Sequence, residues 1–337
     1  MSQLEVKDLR VTFPTAAGDV QAVRGISFRL QPGRTLALVG ESGSGKSVTG
    51  RAIMGLNPSR AISRGQILLD GKDLLGLSEE ALCPIRGRRI AMVFQDPMSS
   101  LNPILRIGKQ LTEVMPLPKK QAREKALALL REVGIRDPEA CFRQYPFQLS
   151  GGMRQRIVIA IALASDPEIL ICDEPTTALD VTIQGQILSL LDRLKAQRGL
   201  SMLFVTHDFG VVANVADEIA VMYAGKIVEY GTAEEVFYDP RHPYTWALLS
   251  AMPDLNTTGR LYAIPGAPPN MAQPPVGDAF AQRNSQALEI DFLQEPPPFY
   301  VSDSHWAATW LLDPRAPKAQ IPAILQQRLK GGNGLGS

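Results

Sequence analysis

The stretch that most constrains this chain is Gly40-Glu41-Ser42-Gly43-Ser44-Gly45-Lys46-Ser47, a match to G-x-x-x-x-G-K-[ST]. It directly follows the apolar run Thr35-Leu36-Ala37-Leu38-Val39 and opens a helical pattern over Lys46–Leu56. A strand, a glycine turn and a helix in that order form an anion cradle. The glycines let successive backbone N–H groups face one point, and the helix N-terminus adds its positive dipole end. In such a loop Lys46 reaches β/γ-phosphates and the Ser47 hydroxyl binds Mg²⁺, with Gly40, Ser42, Gly43, Ser44, Gly45 and Val48 completing the candidate phosphate site. The rival reading, a Gly/Ser-rich turn with no ligand, does not account for the strand and helix on either side.

A loop of this kind belongs in a parallel sheet with covering helices, and the pattern up to about Tyr238 fits one. Thr35–Val39, Arg89–Phe94, Ile169–Cys172 and Met202–Val205 read as buried strands. Lys46–Leu56, Lys119–Val133, Met153–Ala164 and Ile183–Gln197 read as the helices between them. The expected fold class is therefore α/β. After Pro240 the composition changes, since 13 of the 26 prolines fall in the last 97 residues. That density predicts a loop-rich extension over 241–330 with little regular structure. The glycine-rich end, 331–337, is expected to be disordered. With no internal duplication, 1–240 reads as a single nucleotide domain.

Charge and hydropathy exclude several classes. The 35 basic and 34 acidic residues nearly cancel, which argues against a nucleic-acid binder. The longest apolar run, Ile157–Ala164, is far short of the roughly 20 residues needed to cross a bilayer. The N-terminus lacks the pattern of a secretory signal, so the cytosolic side is expected. Cys83, Cys141 and Cys172 are widely spaced and read as small apolar residues.

The chemistry concentrates at two further places. Glu168-Ile169-Leu170-Ile171-Cys172-Asp173-Glu174-Pro175 is an apolar strand ending in adjacent carboxylates that point opposite ways, so Asp173 suits Mg²⁺ and Glu174 can take a proton from attacking water. Leu149-Ser150-Gly151-Gly152-Met153-Arg154-Gln155 is a second glycine turn opening a helix, hence a second potential anion site.

On these residues the chain resembles the ABC ATPase superfamily, whose signature is L-S-G-G-x-x-Q. Gln95 in Phe94-Gln95-Asp96-Pro97 looks like the Q-loop, Ala178-Leu179-Asp180 like the D-loop, and His207, 34 residues beyond Asp173, like the switch histidine. A lone Gln or His is ordinarily structural. Here order and spacing argue otherwise. The resemblance implies a P-loop ABC-type domain with a mixed, largely parallel core sheet, an antiparallel β subdomain and a helical signature subdomain. It implies that Gln95 senses Mg²⁺ and the membrane partner, that His207 contacts the γ-phosphate, and that Phe13 stacks on adenine, although Tyr is commoner there. It also implies a head-to-tail pair in which each ATP lies between Lys46 of one domain and the Ser150-Gly151-Gly152 turn of the other, with Asp180 at the seam.

The run Gln95–Pro103, the run Asp173–Thr182, the segment Arg241–Pro253 and Ile264-Pro265-Gly266-Ala267-Pro268-Pro269-Asn270 resemble the peptide/nickel permease ATPases. The implied role is to power import of di- or oligopeptides, with nickel or another small solute as the alternative. A catalytically silent structural subunit is the rival from another class, disfavoured by the presence of Glu174, His207 and the full signature. The implied partners are a second ATPase subunit, either a paralogue or itself, two transmembrane permease subunits and an extracytoplasmic solute-binding protein. The implied place is the cytoplasmic face of the inner membrane. Many relatives hold an iron–sulfur cluster through G-C-x-F-x-x-R-C. This chain keeps Gly277, Phe280 and Arg283 but has Asp278 and Asn284 at the cysteine places, with Asp291 and Thr309 at the apparent later two, so no cluster is expected. A DNA-repair ABC ATPase would need a long insertion between Gln95 and Ser150, which are only 55 positions apart, and a translation factor would need a second nucleotide domain.

Overall fold

The computed structural model describes residues 3–16, 18–177, 179–252, 263–323 and 325–326. The predicted tail 331–337, Ala178 of the D-loop and Pro253 of the extension lie outside the described residues. The chain divides into two compact units, one of Met1–Gln3, Leu30–Arg34 and Gly76–Phe204, the other of Leu4–Arg29, Thr35–Leu75 and Val205–Ser337.

In the second unit, the strand Thr35–Val39 is fully buried, as an unbroken apolar run in a parallel sheet should be. It pairs parallel with Glu218–Tyr223, which pairs antiparallel with Lys226–Thr232 through the two-residue turn Ala224-Gly225. Both turn residues have positive φ, 46° and 80°, the geometry that matches strand twist in a tight hairpin. A separate antiparallel sheet joins Leu4–Thr15 to Ile62–Leu69, which closes on Lys72–Asp73 through Asp70-Gly71, again with positive φ at both residues.

The extension is part of this unit's core. Trp306–Ala307 adds to the free edge of Lys226–Thr232, and Phe299–Tyr300 adds to Trp306–Ala307. Pro243–Ala251 forms a helix whose Tyr244, Trp246 and Leu249 are buried in one cluster with Ala37, Val39 and Val221. This differs from the expectation of little regular structure. Pro243 occupies the first helical turn, where a proline costs nothing, and the His242 ring accepts the Tyr244 N–H. The buried Glu229 carboxylate accepts the N–H groups of Arg241 and His242 and bonds His305. Past residue 263 the described residues of the extension form short 3₁₀ turns, two-residue strands and, at 323 and 325–326, a short helical stretch, with loops between them as the prolines imply.

In the first unit, Ile90–Val93 pairs parallel with Ile169–Asp173. The helix Lys119–Glu132 buries Ala122, Ala126, Leu129 and Leu130, the i, i+4, i+7, i+8 stripe of an amphipathic helix. Gly151–Leu163 buries Ile157, Val158, Ile159, Ala160 and Leu163, and Val181–Arg198 ends on Gly199 in the left-handed conformation. Among the described residues no helix is long and apolar enough to cross a membrane.

Candidate nucleotide site

The loop Gly40–Ser47 sits in the second unit against the end of strand Glu218–Tyr223. A side chain at Gly40 would place its Cβ 2.0 Å from the Met222 carbonyl oxygen, and one at Gly45 would place it 2.4 Å from that of Ala22. Only glycine allows the backbone this close. The Ser44 carbonyl accepts the Gly225 N–H at 3.0 Å, so the hairpin turn also holds the loop. Lys46 is buried, and its Nζ donates to the carbonyls of Gly40 at 2.6 Å and Glu41 at 2.8 Å and to Ser44 Oγ at 3.3 Å. The ammonium is thus held by its own loop. Ser42 and Gly43 are exposed at the loop tip, and Ser47 and Val48 are half-buried on the first helical turn. In the same unit, Phe13 is half-buried near the end of Leu4–Thr15, and exposed His207 follows Thr206, the last residue of strand Ser201–Thr206.

The first unit carries the acidic strand end. Asp173 is buried as the last residue of Ile169–Asp173. Glu174 follows it with φ +47°, a left-handed backbone that non-glycine residues adopt at a cost of about 1–2 kcal/mol. Such strain concentrates where a side chain must be aimed. The Glu174 carboxylate is aimed by two donors onto Oε2, Gln95 Nε2 at 3.0 Å and Thr177 Oγ1 at 2.9 Å. The structure therefore joins Gln95 to Glu174 directly. Thr177 was missed from the sequence, although its hydroxyl three residues beyond Glu174 was a signal that it could reach back.

Ser150 caps the signature helix by accepting the Met153 N–H at 3.3 Å, with Ser150 and Gly151 exposed and Gly152 half-buried. Ser150 and Gly151 thus leave the start of the helix exposed, while Gly152 lies close to the Ile183 side chain. Asp180, also exposed, caps Val181–Arg198 by accepting the Ile183 N–H at 2.9 Å.

The donor sets decide which metals fit. Ser47 and Asp173 offer hard oxygens, and among the described residues no three His, Cys, Asp or Glu side chains form a cage. Ser47 lies in the second unit and Asp173 in the first, and each carries the hard-oxygen donor type that Mg²⁺ takes. An iron–sulfur cluster does not fit, because the last cysteine in the chain is Cys172. The residues at the cysteine places bond backbone instead. Asp278 accepts the Phe280 N–H, Asn284 that of Gln286, Asp291 that of Leu288 and Thr309 that of Leu311. Burial pushes the thiols of Cys141 and Cys172 up to about 11 and about 12, which leaves both protonated and inert.

Comparison with known proteins bears on the family. The ABC transporter family matches residues 23–177, and the C-terminal region of oligopeptide/dipeptide transporters matches 228–290. The oligopeptide transport ATP-binding protein OppD of Bacillus subtilis is 56% identical, over 97% of this chain and 94% of its own. The dipeptide transport ATP-binding protein DppD of Lactococcus lactis is 58% identical, over 94% and 92%. The solved ATP-binding cassette MJ0796, a dimer bound to ADP and phosphate after hydrolysis, has a TM-score of 0.61 and 27% identity, over 68% of this chain and 98% of its own. Both relatives carry peptide names, so nickel is not favoured. The fold, the phosphate loop and these likenesses together place the chain in the ABC transporter family, among the ATP-binding proteins of its oligopeptide/dipeptide branch.

Proposed function

We propose that this chain is the ATP-hydrolysing subunit of an importer of di- or oligopeptides. The observation that carries the reading is the buried Lys46 ammonium, fixed by loop carbonyls within a glycine cradle that opens a helix. Residues 40–48 hold the triphosphate, Phe13 stacks on adenine and His207 contacts the γ-phosphate. Ser47, Asp173 and Gln95 would hold Mg²⁺, which when bound would offset phosphate charge. Glu174 accepts a proton as water attacks the γ-phosphorus. The bond to the β-phosphate oxygen breaks, giving ADP and phosphate.

The Ser150-Gly151-Gly152 helix end of a second cassette, paralogue or identical, supplies the opposing donors, with Asp180 at the seam. ATP then closes the pair and hydrolysis releases it. Residues 1–240 serve as the nucleotide domain, 241–330 as the extension and 331–337 as its tail. The chain works on the cytoplasmic side of the membrane with two permease subunits and a solute-binding protein. Uptake of labelled peptide by the assembled complex tests this. Wild type should transport in an ATP-dependent way and Glu174→Gln should not; nickel uptake without peptide uptake would refute the substrate assignment.

A further inference from the structure

Two residues of the extension reach the phosphate loop. The Gly40–Glu41 peptide is one rigid plane. Its carbonyl accepts Lys46 Nζ at 2.6 Å, and its N–H donates to the Tyr244 hydroxyl at 2.7 Å. Arg283 forks onto the carboxylate of the same residue, Nη1 to Glu41 Oε2 at 2.6 Å and Nη2 to Oε1 at 3.0 Å. Two-point forks of this kind fix orientation as well as distance. Arg283 is itself held by the Pro265 carbonyl at 2.8 Å and the Tyr223 hydroxyl at 3.2 Å. Tyr244 is buried in a triangle with Tyr223 and Phe280, with ring centroids 4.6 to 5.3 Å apart. The Glu41 carbonyl also accepts Lys46 Nζ, at 2.8 Å. Both carbonyls that aim the ammonium therefore belong to a segment whose N–H and side chain are clamped by the extension.

We infer that Tyr244 and Arg283 are positioning residues for the nucleotide reaction, setting the place of Lys46 through Glu41. This rests on the reading of residues 40–48 as the nucleotide site. It gives the extension a part in ATP binding, and it explains why Phe280 and Arg283 stay useful where the cysteines are absent. The test is binding of a fluorescent ATP analogue to the full chain, with KM and kcat for ATP in the assembled transporter. Tyr244→Phe keeps the ring and removes the acceptor. It should weaken binding about three- to tenfold, the worth of one hydrogen bond, raising KM while kcat stays within about twofold. Arg283→Gln should weaken it at least as much, and adding Glu41→Gln to Arg283→Gln should cost no more. Trp310→Phe, which removes the bond to the Gln294 carbonyl and keeps an aromatic ring beside Phe299, touches nothing at the loop and should change neither constant. Wild-type affinity and KM in both Tyr244→Phe and Arg283→Gln, with Lys46→Ala impaired, would overturn the inference alone. Wild-type affinity in Lys46→Ala would overturn the loop assignment beneath it. If Arg283→Gln does not fold, Tyr244→Phe decides.

Discussion

Glu174→Gln should separate binding from hydrolysis. The glutamine oxygen can accept the same two donors, Gln95 Nε2 and Thr177 Oγ1, from the same strained backbone. The local structure should therefore survive, with a melting point within about 3 °C of wild type. An amide cannot take the proton from water. A positioned general base contributes about 10²- to 10⁴-fold, equivalent to about 3–5 kcal/mol of barrier. Single-turnover hydrolysis of labelled ATP by the assembled complex should slow by that factor while ATP affinity stays within a few-fold. A rate within twofold of wild type would show that Glu174 is a structural carboxylate and that another group takes the proton.

Three further outcomes follow from the geometry. Gly40→Ala would drive a Cβ against the Met222 carbonyl, a backbone atom that cannot rotate away, so urea unfolding should show a loss of about 2 kcal/mol or more. An unchanged midpoint would contradict the close approach. Burial, with Asp291 and Glu295 adding to it against the Phe280 N–H bond, pushes the Asp278 carboxyl up to about 7. The folded chain thus binds this proton more tightly than the unfolded chain, so its contribution is complete below about pH 4 and is lost as pH rises through 7. Asp278→Asn keeps an acceptor for the Phe280 N–H and should flatten that part of the stability profile, gaining up to about 4 kcal/mol relative to wild type at pH 8. Identical profiles for the two proteins would refute it. Asp180→Ala removes the cap on the Ile183 N–H and should cost about 1 kcal/mol in thermal unfolding, whereas Asp180→Asn should restore it.

Much of this was legible because it is local. The expected strand Thr35–Val39 has those bounds, and the expected helix Lys119–Val133 ends one residue sooner, at Glu132, because apolar period and turn residues act over a few positions. The carboxylates at the end of Ile169–Asp173 were equally readable. Two features were not. The left-handed backbone of Glu174 carries no composition signal, since Glu does not favour it. The bonds from Tyr244 and Arg283 to Glu41 span 203 and 242 positions, and no local pattern records a contact at that range. The helix Pro243–Ala251 lay between. Its first-turn proline was a start signal, but the surrounding prolines favoured reading the stretch as loop.

Whether the loop binds ATP through Lys46 is decided by equilibrium binding of a fluorescent ATP analogue to wild type and Lys46→Ala. Removing the buried ammonium that the loop carbonyls of Gly40 and Glu41 hold in place should weaken binding by about 100-fold or more, with peptide uptake lost in the assembled transporter. Equal affinity in the two proteins, with uptake intact, would contradict the account.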